Sequence, residues 1–194
     1  MNILLHTCCG PCAVYPLSVL ENLNHSVTAY FYNPNIHPFK EFRKRLVTAE
    51  DFFKRQHIPS IMDKNYGLKY FLRRVVHNEE KRCHFCYFDR LEKTVQTATN
   101  NGFDAFTSTL LYSKYQNHKK IIELCETLAE QYSISFFYYD FREGWQQGID
   151  ISKQLSLYRQ PYCGCIFSEW ERYDKSLKRK NKETHHDSND SDSH

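Results

Sequence analysis

The sequence has no long apolar segment. Its 194 residues are 41% hydrophobic and 25% charged, and no apolar run reaches the roughly 20 residues that a transmembrane helix needs. The first residues, MNILLHTCCG, have neither the basic segment nor the extended apolar segment of a secretory signal peptide. These absences predict a cytoplasmic protein without a membrane partner.

Glycine-rich phosphate-binding patterns are also absent. The chain has no GxGxxG fingerprint to indicate a Rossmann nicotinamide site, and no Walker loop to support the use of ATP. The formal net charge of +3 and the pI near 8.3 are too mild to indicate nucleic-acid binding. Charge alone therefore neither identifies nor excludes a polyanionic partner.

Apolar segments typical of strands alternate with amphipathic segments typical of helices, which predicts an α/β fold with a mostly parallel, doubly wound sheet. The predicted strands are residues 3–7, 25–35, 58–63, 103–111 and 134–141. The predicted helices are residues 13–23, 37–57, 66–76, 87–102, 118–132 and 151–175, the last interrupted by a loop. We expect one catalytic domain over residues 1–177. Residues 178–194 carry no large apolar side chain, so we predict a disordered tail.

Seven of the eight cysteines fall into three groups, which in a cytoplasmic chain points to metal ligation or redox chemistry. The groups are Cys8-Cys9-x-x-Cys12, Cys83-x-x-Cys86 and Cys163-x-Cys165. Cys125 stands alone in a helical pattern and is predicted to be a core residue.

Cys8 and Cys9 follow the first predicted strand, at the sheet edge where ligands of open α/β sheets bind. Adjacent thiols suit a cluster with several iron atoms better than a single zinc ion. The Cys83/Cys86 pair suits either metal and lies at a helix start, where the dipole stabilises thiolates. These four cysteines therefore predict a redox-metal site, with an iron-sulfur cluster favoured and structural zinc as the alternative.

The remaining thiols leave alternatives open. Cys163 and Cys165 can close a strained, redox-active disulfide, or they can ligate the same metal or stay reduced. Cys12 can supply a ligand to an additional mononuclear iron, or remain an unliganded thiol at the helix start.

Aromatic and basic residues also follow the predicted strands or precede the third cysteine group. They are Tyr112, Ser113, Tyr115, Arg142, Tyr158 and Arg159. Side chains of these types can stack on and hydrogen-bond a nucleobase. For any single tyrosine a core or rim position is favoured, and only the group as a whole indicates base binding.

With these motifs in hand, the chain resembles the QueH-type epoxyqueuosine reductases. The resemblance covers roughly residues 1–174, and its motifs are HTCCGPCA, RCHFCYFDRL, STLLYSKYQNH, the step DFR at 140–142, and YRQPYCGC. It implies an adenine-nucleotide-hydrolase-like (HUP, Rossmann-like) fold and reduction of epoxyqueuosine to queuosine at the wobble position of tRNA.

The resemblance also implies roles for particular residues. A 4Fe-4S cluster would be held by Cys8, Cys9, Cys83 and Cys86, beside a redox-active Cys163/Cys165 disulfide and a second iron touched by Cys12. As hypotheses, Tyr112 or Tyr158 donates protons, and Ser113, Arg142 and Arg159 bind substrate. The electron donor is not identified by the sequence.

Two other functions fit parts of the pattern. A tRNA thiolation or thiol-disulfide exchange protein could use these cysteines without iron. A zinc-stabilised RNA-binding module would use basic residues for phosphate contact. The basic residues considered for that role are Arg43, Lys44, Arg45, Arg73 and Arg74.

Overall fold

A five-stranded, all-parallel sheet forms the centre of the molecule in a computed structural model that describes residues 1–176. The predicted tail, residues 178–194, lies outside the described residues. The strands are β1 (Asn2–His6), β2 (Ser26–Phe31), β3 (Ser60–Met62), β4 (Ala105–Ser108) and β5 (Ser135–Phe136). Their order is β3-β2-β1-β4-β5, which confirms the predicted doubly wound topology.

Seven α-helices of at least eight residues accompany the sheet in the described part of the chain. They are α1 (Gly10–Asn22), α2 (Phe39–Arg55), α3 (Leu68–Val75), α4 (Arg82–Asn100), α5 (His118–Tyr132), α6 (Trp145–Gln154) and α7 (Ile166–Tyr173). α1 packs against α2 and α6, whereas α4 packs against α5 and contacts β1 and β4. Right-handed crossovers that run in opposite directions from β1 place these two groups on opposite faces of the sheet. Through residue 176, no helix combines the length and the apolar character that a membrane span requires.

The central strand β1 explains where ligands can bind. Ile3, Leu4 and Leu5 are fully buried, as expected of a strand covered by helices on both faces. β1 pairs with β2 on one side and with β4 on the other. The chain therefore reverses direction across the sheet at β1, and the carboxyl ends of β1 and β4 form the topological switch point where open α/β sheets bind ligands.

The structure differs from the sequence predictions mainly after β4. β5 is only two residues long, and α6 begins at Trp145, within a segment interpreted as irregular. The loop predicted within residues 151–175 is confirmed, since YRQPYCGC lies between α6 and α7. α4 begins at Arg82, so the Cys83/Cys86 pair lies inside the helix and not before it, with Cys83 in the first turn and Cys86 at the start of the second. The physical reason is that tertiary contacts, such as α6 on α1, decide short elements that propensity leaves open.

Gly67 marks a close approach of two loops and yields a stability prediction. A Cβ at this position would lie 2.4 Å from Pro34 Cβ and 2.6 Å from Pro34 Cα, so backbone must move to admit it. We expect Gly67→Ala to lower the free energy of unfolding by about 1–3 kcal/mol in urea titrations. The control is Lys69→Ala on the exposed side of α3, expected within about 0.5 kcal/mol of wild type. Equal effects of the two variants would contradict the steric explanation.

Candidate metal centre and adjoining cavity

Three thiols converge where β1 ends and α1 begins. The Sγ atoms of Cys8, Cys9 and Cys12 all lie within 4.8 Å of one another, so this group can hold a metal ion. Cys9 is the N-cap of α1, and its Sγ accepts a hydrogen bond from the Cys12 backbone N at 3.3 Å. Thr109, directly after the neighbouring strand β4, accepts at Oγ1 from the Cys8 backbone N at 3.1 Å. The end of β1 and the start of α1 thus bring the three thiols together, and backbone N–H groups hydrogen-bond in this loop.

The environment shifts the pKa values of the three thiols in opposite directions. Hydrogen bonds from Cys12 and Cys9 lower the pKa of Cys8 well below its usual value, and the charge of Arg90 lowers it further. Burial raises the pKa of Cys9, and the bond to Cys8 raises that of Cys12. Cys8 is therefore the thiol of the three that ionises most readily, and thiolate is the form of cysteine that ligates metals.

A buried arginine provides the counter-charge. Arg90 is 3% exposed and participates in none of the carboxylate ion pairs within residues 1–176. Its Nε donates to His6 Nε2 at 3.3 Å, and its Nη1 lies 3.7 Å from Cys86 Sγ. Burial and the Arg90 charge lower the pKa of His6 to about 3, so His6 is neutral. Because an unpaired buried cation is costly, Arg90 favours negative charge on the neighbouring sulfurs, and its charge acts to lower the pKa of both Cys8 and Cys86.

The second and third cysteine groups lie together on the other side of Arg90. Cys86 and Cys165 are buried in one small apolar cluster with Phe71 and Val75. Burial raises the pKa of Cys86 to about 12. Cys83 and Cys163 are exposed, and all of the cysteines are free thiols in the structure. Cys12, and neither Cys83 nor Cys86, completes the three-thiol group with Cys8 and Cys9.

A buried ion pair holds the loop that carries Cys163 and Cys165. Arg45 donates from Nε to Glu41 Oε1 at 2.7 Å, from Nη1 to the Cys163 carbonyl at 2.7 Å, and from Nη2 to the Tyr162 carbonyl at 2.9 Å. The guanidinium is 1% exposed, so Arg45 cannot contact phosphate as the RNA-binding alternative requires. Arg45 instead ties α2 to the cysteine loop.

A cavity of about 660 Å³ opens on the thiols. Cys8, Cys12 and Cys163 contribute to its lining, together with the buried cation Arg90. Other lining residues that bear on its chemistry are Tyr112, Ser113, Tyr115, Gln116, Trp145, Arg159, Gln160 and Arg172. Gln116 Nε2 donates to Cys163 Sγ at 3.2 Å, and Gln160 Nε2 donates to Cys12 Sγ at 3.2 Å. A ligand in this cavity meets cysteines of the first and third groups.

Of the residues predicted to bind the substrate or to donate protons to it, only some line the cavity. Ser113 and Arg159 line the cavity, and so does Tyr112, although its hydroxyl donates to the Trp145 carbonyl at 3.0 Å. Tyr158 lies outside the lining and donates to Glu41 Oε2 at 2.6 Å, and burial raises its pKa to about 12. Arg142 also lies elsewhere, in an ion pair with Asp140.

Several residues of the site were missed by the sequence interpretation. Arg90 was assigned only to a helix, although it lies four positions after Cys86 and hence on the same helical face. Trp145 belongs to a segment interpreted as irregular. Gln160 lies within YRQPYCGC and Gln116 within SKYQNH. Both motifs were recognised in the sequence, but neither glutamine was given a role. The helical spacing of Cys86 and Arg90 was the one physical signal available.

The fold and the site together define a doubly wound α/β protein with a cysteine group that can hold a metal ion at its switch point and a cavity that opens on this group. A family model described as epoxyqueuosine reductase QueH matches residues 3–171. The chain belongs to this family.

Curated relatives match along most of their length. An epoxyqueuosine reductase QueH of Dehalococcoides mccartyi is 35% identical over 174 residues, covering 90% of this chain and 96% of that protein. The protein of the same name from Thermotoga maritima is 33% identical over 196 residues, covering 95% and 98%. That of Histophilus somni is 36% identical over 175 residues, covering 86% and 72%.

Proposed function

We propose that this chain is an epoxyqueuosine reductase that acts on tRNA in the cytoplasm. The epoxide takes up two electrons and two protons, its oxygen leaves as water, and the alkene of queuosine remains. The observation that carries the proposal, beside family membership, is the cavity that opens on Cys8, Cys12 and Cys163. Ordinary acid-base side chains cannot supply electrons, whereas redox thiols and thiolate-bound metals can.

The cofactor we propose is a 4Fe-4S cluster, with Cys8, Cys9, Cys83 and Cys86 as the ligands implied by the family resemblance. The convergent thiols, the lowered pKa of Cys8 and the buried Arg90 cation, which pairs with no carboxylate in the described residues, all suit an anionic metal-thiolate group. When bound, such a cluster supplies electrons one at a time. The position of Cys12 beside Cys8 and Cys9 supports it as an additional ligand, either to the cluster or to a second iron.

The Cys163/Cys165 pair is proposed as the store of the electron pair. Oxidation of the two thiols to a disulfide releases two electrons and two protons, which balances the reduction of the epoxide to alkene and water. Cys163 lines the cavity and accepts a hydrogen bond from Gln116, so one thiol of the pair faces the ligand. A separate electron donor then returns the disulfide to the dithiol. We further propose that residues 1–177 work as one domain.

Substrate binding is proposed for the polar residues that line the cavity, Ser113 and Arg159. The predicted proton donor Tyr112 also lines it, and its hydroxyl must leave the Trp145 carbonyl in order to donate to a ligand. Tyr158 instead supports the cysteine loop through Glu41. The structure therefore favours Tyr112 over Tyr158 for proton donation.

The function is tested by anaerobic purification, iron and sulfide analysis, and incubation of the reduced protein with tRNA that carries epoxyqueuosine. Mass spectrometry of the nucleosides should show loss of one oxygen. Protein incubated without reductant is the control. Unchanged epoxyqueuosine with an intact, reduced cluster would refute the assignment, and stoichiometric zinc without sulfide would refute the cofactor.

Arg90 supplies a prediction that separates metal binding from folding. We expect Arg90→Met to weaken iron binding about tenfold to hundredfold, as loss of a supporting outer contact does at other metal sites. In the metal-free protein the same change removes a buried charge, so the free energy of unfolding should stay within about 1 kcal/mol or rise. Chelator competition measures the first quantity, and urea titration of the metal-free protein measures the second.

The matched control for this prediction is Arg73→Met on the exposed surface of α3. It removes the same charge from the chain without touching the thiols, so iron affinity should not change. Wild-type iron affinity in Arg90→Met would show that the guanidinium does not compensate the metal centre.

A further inference from the structure

Tyr115 is the most exposed of the large hydrophobic side chains in the described part of the chain, and it lines the cavity. Its side chain and backbone together are 84% exposed, whereas Tyr112, three residues earlier, is buried. The ring meets Trp145 edge-on, with centroids 5.7 Å apart, and Trp145 in turn packs against Tyr112 at 5.1 Å. An exposed aromatic ring therefore continues a row of aromatic rings out of the cavity.

Hydrogen bonds to Ser113 hold the backbone beside Tyr115, so the exposed ring has a defined position. The Tyr115 N donates to Ser113 Oγ at 3.3 Å, and the Gln116 N donates to the Ser113 carbonyl at 3.4 Å. The next side chain, Gln116, also contacts Tyr87 Oη at 2.8 Å and Cys163 Sγ at 3.2 Å. A base held on the Tyr115 ring would thus lie at a defined place relative to the thiols.

The charge around the cavity mouth suits a polyanion. Arg159 and Arg172 are exposed lining residues, and Lys114 Nζ lies 6.0 Å from the centre of the Trp145 ring. The single carboxylate among the lining residues is Glu171, which is paired with Arg82. Exposed aromatic rings combined with cations are the means by which proteins hold unpaired nucleotides.

We propose that Tyr115 is a stacking platform for an unpaired base of the RNA loop, namely the base next to the nucleotide that enters the cavity. The proposal rests on the proposed function, since a tRNA nucleoside must leave the anticodon-loop stack to reach Cys8 and Cys163. The neighbouring base then lies outside the cavity beside an exposed ring. Tyr115 positions the substrate and takes no part in the electron transfer.

The test compares Tyr115→Ala and Tyr115→Phe with wild type in binding an anticodon stem-loop that carries 2-aminopurine next to the wobble position. We expect Tyr115→Ala to bind about tenfold to hundredfold more weakly, because stacking on one ring contributes that much per base, and to lose the fluorescence quenching on binding. Tyr115→Phe retains the ring and should stay within about threefold of wild type. The KM for tRNA should rise in parallel, with kcat nearly unchanged.

The control is Tyr138→Ala, which removes an exposed tyrosine that does not line the cavity. Its affinity for the stem-loop should equal that of wild type, and iron content and thermal unfolding should be the same in all four proteins. Unchanged affinity and quenching in Tyr115→Ala would overturn the stacking proposal while leaving the reductase function intact. Failure of wild type to convert epoxyqueuosine would overturn the function, and the stem-loop measurement would still decide the role of Tyr115.

Discussion

Replacing Cys9 with serine is expected to remove the bound metal and to lower turnover at least about a hundredfold, while the fold remains. Cys9 is 1% exposed and belongs to the three-thiol group. Serine is a preferred N-cap, and its hydroxyl can accept the Cys12 N–H bond that the thiol accepts now. The substitution therefore removes the proposed thiolate ligand and preserves the start of α1. Iron and sulfide content, the visible spectrum and single-turnover reduction measure the effect.

The matched control for this prediction is Cys125→Ala in α5. Cys125 is fully buried in the main core and lies outside the three-thiol group. Its replacement should leave the iron content and turnover per iron unchanged and reduce stability modestly through the small cavity it creates. Full iron content in Cys9→Ser, with a wild-type spectrum, would remove Cys9 from the ligand set.

The same measurement distinguishes the two ligand sets that the sequence and the structure suggest. If Cys83 and Cys86 complete the cluster, their serine variants should lose iron and sulfide as fully as Cys9→Ser. If Cys12 completes it, Cys12→Ser should show that loss. If Cys12 holds a separate iron, Cys12→Ser should lose iron but retain the sulfide of the cluster.

The sequence was sufficient to predict the parallel sheet and the edge at which ligands bind. The apolar run at residues 3–5 is continuous because both faces of β1 are covered, and CCGPC after it marks a strand-to-helix loop. These signals are local, so one sequence carries them. The same holds for Cys125, whose helical spacing correctly predicted a core position.

What the sequence could not supply were contacts between segments far apart in the chain. Arg90 lies between cysteine groups separated by more than 70 positions, and nothing local shows that its charge lacks a carboxylate. Arg45 stands among exposed basic residues of α2 and looks like them in sequence, yet it is buried because the cysteine loop folds over it. Such roles depend on tertiary packing, which periodicity does not encode.

Arg45→Met is expected to lower the free energy of unfolding by about 3–5 kcal/mol and to release the cysteine loop. The methionine fills the space but leaves Glu41, which is 7% exposed, without its cationic partner. It also removes the two donors that hold the Tyr162 and Cys163 carbonyls. Urea titration measures the stability, and the rate of thiol alkylation reports whether Cys165, buried in the native loop, becomes accessible.

Two matched variants show whether the buried charge is the cause. Arg55→Met removes an exposed partner of Asp51 at the same i,i+4 spacing on the same helix, and it should cost less than about 1 kcal/mol. Glu41→Gln combined with Arg45→Met removes the stranded carboxylate and should recover part of the stability. The double variant still lacks the Arg45 donors to the Tyr162 and Cys163 carbonyls, so Cys165 should remain reactive in it. Arg55→Met keeps these donors, so Cys165 should stay protected. Protection of Cys165 in the double variant would mean that the Tyr162 ring and His37, which donates to the Gly164 carbonyl at 2.7 Å, hold the loop without Arg45.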